Sequence, residues 1–242
     1  MEGCNILKHI KEPILYQLKN RKGNYFEGWY FKQVTRDLRS TVCIIPGITK
    51  NRHDTHAFIQ TIINTYTDSK PRHETHYHRF SANEFGYSDE PFSLKIGRNT
   101  FRADYMELDL SDEDYSLRGK IYFSEFTRIK TSILSPNIMG YFAYIPFMEC
   151  YHGVISMSHC LNGHVVLDGV IIDFSDGRGY IEKDWGTSFP KEYVWFQSNN
   201  FKGSDASIMC SVARIPFLGT SFQGFICNLT LNGREYRFAT YN

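Results

Sequence analysis

The sequence lacks any long apolar run. No window approaches the roughly 18 apolar residues that a membrane-spanning helix needs. The opening stretch MEGCNILKHIKEPILYQLKN is interrupted by Glu2, Lys8, Lys11 and Glu12 before a signal-peptide core can develop. An excess of charge is missing too: 27 basic side chains stand against 26 acidic ones, a formal net charge of +1. Such a balance creates no long-range field for gathering a phosphate backbone, which excludes nucleic acid as an expected partner and leaves open only peripheral membrane contact. The six cysteines, at 4, 43, 150, 160, 210 and 227, show no C-x-x-C spacing, so reduced thiols and a cytoplasmic protein are expected. A nucleophile elbow (G-x-S-x-G), a dinucleotide fingerprint, a P-loop and an H-E-x-x-H pair are all absent. Hydrolase, nucleotide-cofactor and zincin chemistry therefore have no support.

Aromatic residues are abundant, at 16% of the 242 residues, with 19 Phe, 16 Tyr and 3 Trp. They favour strands and also line apolar ligand cavities. Period-2 segments rich in β-branched and aromatic residues recur at 25–35, 41–46, 56–64, 74–80, 100–110, 115–123, 151–159, 164–173, 178–183, 193–200, 207–213, 221–231 and 234–240. Few stretches read as helix. Asn162-Gly163, Asp176-Gly177 and Asn232-Gly233 offer the positive φ values of primed hairpin turns. The pattern predicts an all-β antiparallel fold, a sandwich or closed barrel, with barrels favoured because closure removes sticky edges. The stretch TSILSPNIMGYFAYIPFMEC (131–150) breaks the alternation at Pro136, Gly140 and Pro146 and is too apolar for a solvated linker. It divides the chain into an N-terminal barrel over 1–135 and a C-terminal one over 136–242. The final REYRFATYN is the return arm of a hairpin, so the second barrel is expected to be incomplete within this chain.

Two stretches stand out chemically. FEGWYFK (26–32) sets Glu27 among aromatics, and GRGYIEKDWGTSFPKEYVWFQSNNF (177–201) places Tyr180, Glu182 and Asp184 on one face of a strand, with Ile181 and Lys183 on the other. Further on, Trp195, Gln197 and Asn199 share a face opposite Val194, Phe196 and Ser198. These two ordered motifs, about 150 residues apart, resemble the tocopherol cyclase family, which is related in fold to carotenoid 1,2-hydratases and lipocalin-like Diels–Alder cyclases. The resemblance implies two lipocalin-like barrels side by side with an apolar ligand cavity. It also implies an acid-triggered reaction, in which an alkene is protonated and the resulting tertiary cation is captured by oxygen. That chemistry requires no cofactor. It does require a carboxylic acid kept neutral by a dry pocket, and aromatic faces against which a cation can sit.

On this reading Glu182 or Asp184 is the acid, His152 an orienting or relaying partner, and Glu27 an alternative acid. Trp29, Tyr180, Trp185, Trp195, Gln197 and Asn199 are candidates for binding a hydrophobic small-molecule substrate. Several have a plainer reading beside them. Glu27 and Asp184 are also suited to accepting amide hydrogen bonds or pairing with Lys32, Arg178 or Lys183, Trp29 to stopping a barrel end, His152 to a hydrogen-bonded core, and Asn199 to satisfying a loop. The clusters RHDTH (52–56) and RHETHYH (72–78) contain enough histidines to suggest zinc, but their alternation fits a solvated strand face better, and no metal is expected. Two functions remain: a tocopherol cyclase-like intramolecular lyase acting on an isoprenoid or polyene, or a carrier that only holds an apolar molecule. An acid isolated in an apolar pocket favours the first; acids tied into salt bridges favour the second.

Overall fold

The computed structural model describes residues 2–17, 23–67, 70–113, 115–146, 148–217 and 220–242. A helix α1 (Glu2–Lys11) precedes β1 (Tyr25–Val34), β2 (Ser40–Lys50), β3 (Thr55–Thr67), β4 (Lys70–Ser81), β5 (Phe85–Asp89), β6 (Phe92–Ile96), β7 (Asn99–Arg102), β8 (Tyr105–Ser111) and β9 (Ser116–Phe123). After the irregular 124–149 stretch come β10 (Cys150–Leu167), β11 (Val170–Asp173), β12 (Arg178–Gly186), β13 (Tyr193–Ser198), β14 (Ala206–Phe217), β15 (Thr220–Leu231) and β16 (Arg234–Ala239). Twelve strands form one large sheet in the order β4-β3-β2-β1-β12-β10-β9-β8-β7-β6-β5, with β11 paired to β10; β13-β14-β15-β16 form a second, smaller sheet. The fold is all-β and lipocalin-like, with two antiparallel units side by side.

The large sheet crosses the boundary expected at residue 135. Strand β12 pairs with β1, and β10 pairs with both β12 and β9. One strand serves both neighbours because β10 is 18 residues long and shifts register between Val154 and Ser156 and again before His159. Such bulges bend a strand and let it wrap around a barrel. Asn162-Gly163, expected as a hairpin turn, instead lies inside β10 opposite Tyr122 and Ile121. A Cβ on Gly163 would stand 2.3 Å from the Lys120 carbonyl oxygen, so the glycine there serves close backbone approach. Asn232-Gly233 does form the expected turn between β15 and β16, at φ 48° and 74°. The expected 164–173 strand folds back on itself at Asp168-Gly169 (φ 48° and 84°) to give the end of β10 and β11, and the expected 100–110 strand is divided into β7 and β8.

The interior of the large barrel is filled. Trp29, Phe31, Ile44, Ile59, Leu94, Phe101, Met106 and Ile181 are fully buried there, and Ile14, Leu15 and Tyr16, which follow α1, pack into the same core. That N-terminal segment is tied down from within: Trp29 Nε1 donates to the Ile14 carbonyl at 2.7 Å, and Lys183 Nζ donates to that of Leu15.

Candidate functional site

Strand alternation and register divide β1 and β12 into two faces. Opposite pairs Glu27–Trp185, Trp29–Lys183 and Phe31–Ile181 point into the barrel, whereas Gly28–Asp184, Tyr30–Glu182 and Lys32–Tyr180 point outward. On β10, His152 stands opposite Asp184, and Val154 opposite Glu182. This outward face is covered by the small sheet. Between the two lies a cavity of about 250 Å³, lined among others by Tyr30, Met139, Phe142, His152, Glu182, Asp184, Trp195, Phe222 and Tyr241. The apolar 131–150 stretch supplies Met139, Phe142 and Met148 to its wall, so it packs between the two units as its composition suggested.

The polar end of the cavity is one connected cluster. Glu182 Oε2 accepts from the Tyr180 hydroxyl at 2.6 Å and from Trp195 Nε1 at 3.1 Å. His152 Nδ1 lies 2.8 Å from Asp184 Oδ1, which fixes the ring and turns Nε2 toward Glu182, 3.5 Å away. Nε2 itself is buried without a hydrogen-bond partner among the described residues. Burial pushes the Glu182 carboxyl up to about 7, with Asp184 adding to the rise and the His152 charge and the two hydrogen bonds opposing it. Burial works against the His152 imidazolium, but Asp184 and Glu182 outweigh it and hold the ring at about 9. The site is therefore an acid that is about half protonated near pH 7 beside a ring that retains its proton.

Asp184→Asn removes the largest charge favouring the imidazolium while keeping an acceptor for Nδ1. The His152 titration should then move down from about 9, read from its ring-proton shifts by NMR. Because the folded value lies above the unfolded one of about 6.5, this group's stabilisation is complete below that value and is lost as pH rises through 9. The variant should lack that alkaline decline. A His152 titration unchanged in the variant would refute the assigned contact.

The cluster gathers Glu182, Asp184, His152, Tyr180 and Trp195 from the residues singled out in the sequence, and leaves the rest elsewhere. Trp29 and Trp185 do not reach the cavity: both lie on the opposite face, with Lys183 Nζ 4.2 Å and 5.1 Å from their ring centres. Glu27 is fully buried, paired with Lys183 and accepting the Gln17 amide at 2.7 Å, which is a structural role and not that of an alternative acid. Gln197 accepts from Lys32 Nζ at 2.9 Å and Asn199 donates to the Gly179 carbonyl at 2.8 Å; both tie β13 and its exit to the large sheet and neither lines the cavity. Tyr30, Phe142, Phe222 and Tyr241 line it without having been singled out. Tyr30 carried a signal, since it falls on the face of FEGWYF opposite to Glu27; the others come from distant segments and carried none.

The histidine-rich stretches are engaged by close neighbours, mostly across the β3–β4 pair: His56 with Tyr77 at 2.7 Å and with Asp54 just before β3 at 2.9 Å, and His73 with Asn64 at 2.6 Å. Among the described residues, the group with ligand atoms close enough to hold a cation is His152, Glu182 and Asp184, all within 4.8 Å of one another. Asp184 is already engaged at Nδ1 there, which leaves Nε2 and the Glu182 carboxyl as the pair facing a common point.

Residues 123–242 match the family model described as tocopherol cyclase-like. Over 74 residues the chain is 31% identical to the chloroplastic tocopherol cyclase of Zea mays, an alignment covering 31% of this chain and 16% of that one. The chain spans less than a quarter of the length of the curated plant relatives it matches. Among solved structures, kievitone hydratase from Nectria haematococca superposes with a TM-score of 0.51 at 13% identity, covering 93% of this chain and 68% of that one. CghA bound to Sch210972 gives 0.53 at 8% identity, covering 88% and 59%. At such identities the structures speak for the fold. No helix among the described residues is long and apolar enough to cross a membrane. The match over residues 123–242, just under half of the chain, is carried on an all-β lipocalin-like frame and makes this part of the chain tocopherol cyclase-like.

Proposed function

We propose that this chain catalyses acid-initiated addition across a C=C bond of a hydrophobic isoprenoid or polyene substrate, as an intramolecular lyase of the isomerase class or as a hydratase. The observation that carries the reading is the carboxyl of Glu182, raised to about 7 by burial at the polar end of an apolar cavity. The neutral carboxyl gives its proton to one alkene carbon, and the positive charge forms on the more substituted neighbour. Tyr30 and Trp195, edge to face at 5.5 Å, present aromatic surface to that charge. A phenol or water oxygen then captures the cation. Its proton returns to the Glu182 carboxylate, with His152 Nε2 3.5 Å away as the relay, so the cycle ends with every proton restored and needs no cofactor. Tyr180 and Trp195 hold the carboxyl in place, and Asp184 holds His152. The names of two relatives, a tocopherol cyclase and a kievitone hydratase, fit cyclisation and hydration respectively.

The test is incubation in D₂O with a phenol bearing an ortho-prenyl chain, followed by mass spectrometry. A product equal in mass to the substrate apart from one carbon-bound deuterium, or heavier by one water, is expected. The rate should fall as pH rises through about 7, because only the protonated acid can donate. Recovery of unchanged ligand from a stable complex would instead support a carrier. A rate independent of pH would remove Glu182 from the role of acid.

A further inference from the structure

On the face of the small sheet turned away from the cavity, four strands contribute one row of residues. Phe196 of β13 stands opposite Cys210 of β14, Cys210 opposite Cys227 of β15, and Cys227 opposite Phe238 of β16. Directly opposed residues in an antiparallel pair have Cα atoms about 4.5–5.5 Å apart, within the roughly 4.4–6.8 Å that a disulfide spans. The side chains also point to the same side of the sheet, and the Cys210 thiol is close enough to raise that of Cys227. None of Cys43, Cys150 and Cys160 is placed opposite another cysteine in the strand registers. The pair is a product of the fold: 17 positions separate the two residues in the sequence.

We infer that Cys210 and Cys227 form a dithiol site that a small-molecule disulfide such as oxidised glutathione converts to an intramolecular cross-strand disulfide. Cys210 is partly exposed and Cys227 is buried, which divides the roles. The Cys210 thiolate attacks glutathione disulfide, giving a mixed disulfide and releasing one glutathione thiolate. Cys227 sulfur then attacks the Cys210 sulfur, the new S–S bond forms, and the second glutathione leaves with the Cys227 proton. Two protein thiols are oxidised and one glutathione disulfide is reduced, so electrons balance. Burial, with Cys210 adding, pushes the Cys227 thiol up to about 11, which makes it the poorer attacker of a disulfide in solution and leaves the first attack to Cys210. The row alongside, Ser211 opposite Ile226, lines the cavity, so the cross-link would tie together two strands of the cavity wall independently of the chemistry proposed there.

The experiment is treatment of the folded chain with oxidised glutathione, followed by intact mass measurement and peptide mapping without reductant. The expected result is a Cys210–Cys227 cross-linked peptide carrying no glutathione, while the exposed Cys160 retains an adduct as an internal control. The thermal midpoint should rise, because the cross-link constrains the unfolded chain. Cys227→Ser should leave glutathione trapped on Cys210, and Cys210→Ser should abolish the cross-link. A stable glutathione adduct on Cys210 with Cys227 still reduced in the unsubstituted chain would overturn the inference, as would an unreacted pair under conditions that modify Cys160.

Discussion

Lys183→Met with Glu27 left in place is expected to lower the stability of the fold by about 3–5 kcal/mol, the range seen when one partner of a buried ion pair is removed. Both side chains are 0% exposed. Burial lowers the Lys183 ammonium to about 8, and Glu27 offsets part of that loss. Without the ammonium, the carboxylate remains in a core of Trp29, Trp185 and Tyr25, and the Leu15 carbonyl loses its donor. The segment from Ile14 to Tyr16 then has less to hold it against the barrel. In the variant Glu27 should favour its neutral form. Its folded pKa would lie above the unfolded one, so the deficit should be smallest at acid pH and grow as pH rises. Urea unfolding at two pH values measures both effects. Replacing both partners together, Glu27→Leu with Lys183→Met, should recover much of the loss, since it leaves no charge unpaired. A single variant within about 1 kcal/mol of the parent would contradict the assignment of a desolvated pair.

Glu182→Gln is expected to reduce turnover by about 10²–10⁴-fold, the usual scale for losing a positioned general acid, while unfolding at nearly the parent's urea midpoint. The amide is close to isosteric, and its carbonyl oxygen can still accept from Tyr180 and Trp195, whose donors sit at 2.6 Å and 3.1 Å. What is lost is the proton available for transfer. The loss should fall on kcat more than on KM, because the cavity wall is otherwise unchanged. His152 should at the same time titrate below about 9, since Glu182 is one of the two charges supporting its imidazolium. Turnover within a few-fold of the parent, with the amide folded and in place, would show that the proton comes from another group.

The folding class and the two motifs were legible because strand alternation is a local property. Alternation already placed Tyr180, Glu182 and Asp184 together and set Lys183 on the other face. It also hinted that Glu27 serves the barrel's structure, which its pairing with Lys183 now explains. Trp29 and Trp185 were misplaced for an equally physical reason: Trp185, next to Asp184 in sequence, lies on the opposite side of the strand from it, and Trp29 shares the face of Glu27, which points into the barrel and away from the cavity.

By itself, the sequence determined the all-β architecture and which acids could share a face, since each follows from composition or a two-residue period. Only the tertiary structure decided that the barrel interior is solid and that the cavity lies outside it, between two sheets. It alone paired His152 with Asp184, 32 positions apart, and Cys210 with Cys227. These facts depend on strand register and on which sheet covers which face, and both are fixed by contacts between segments that are distant in the chain.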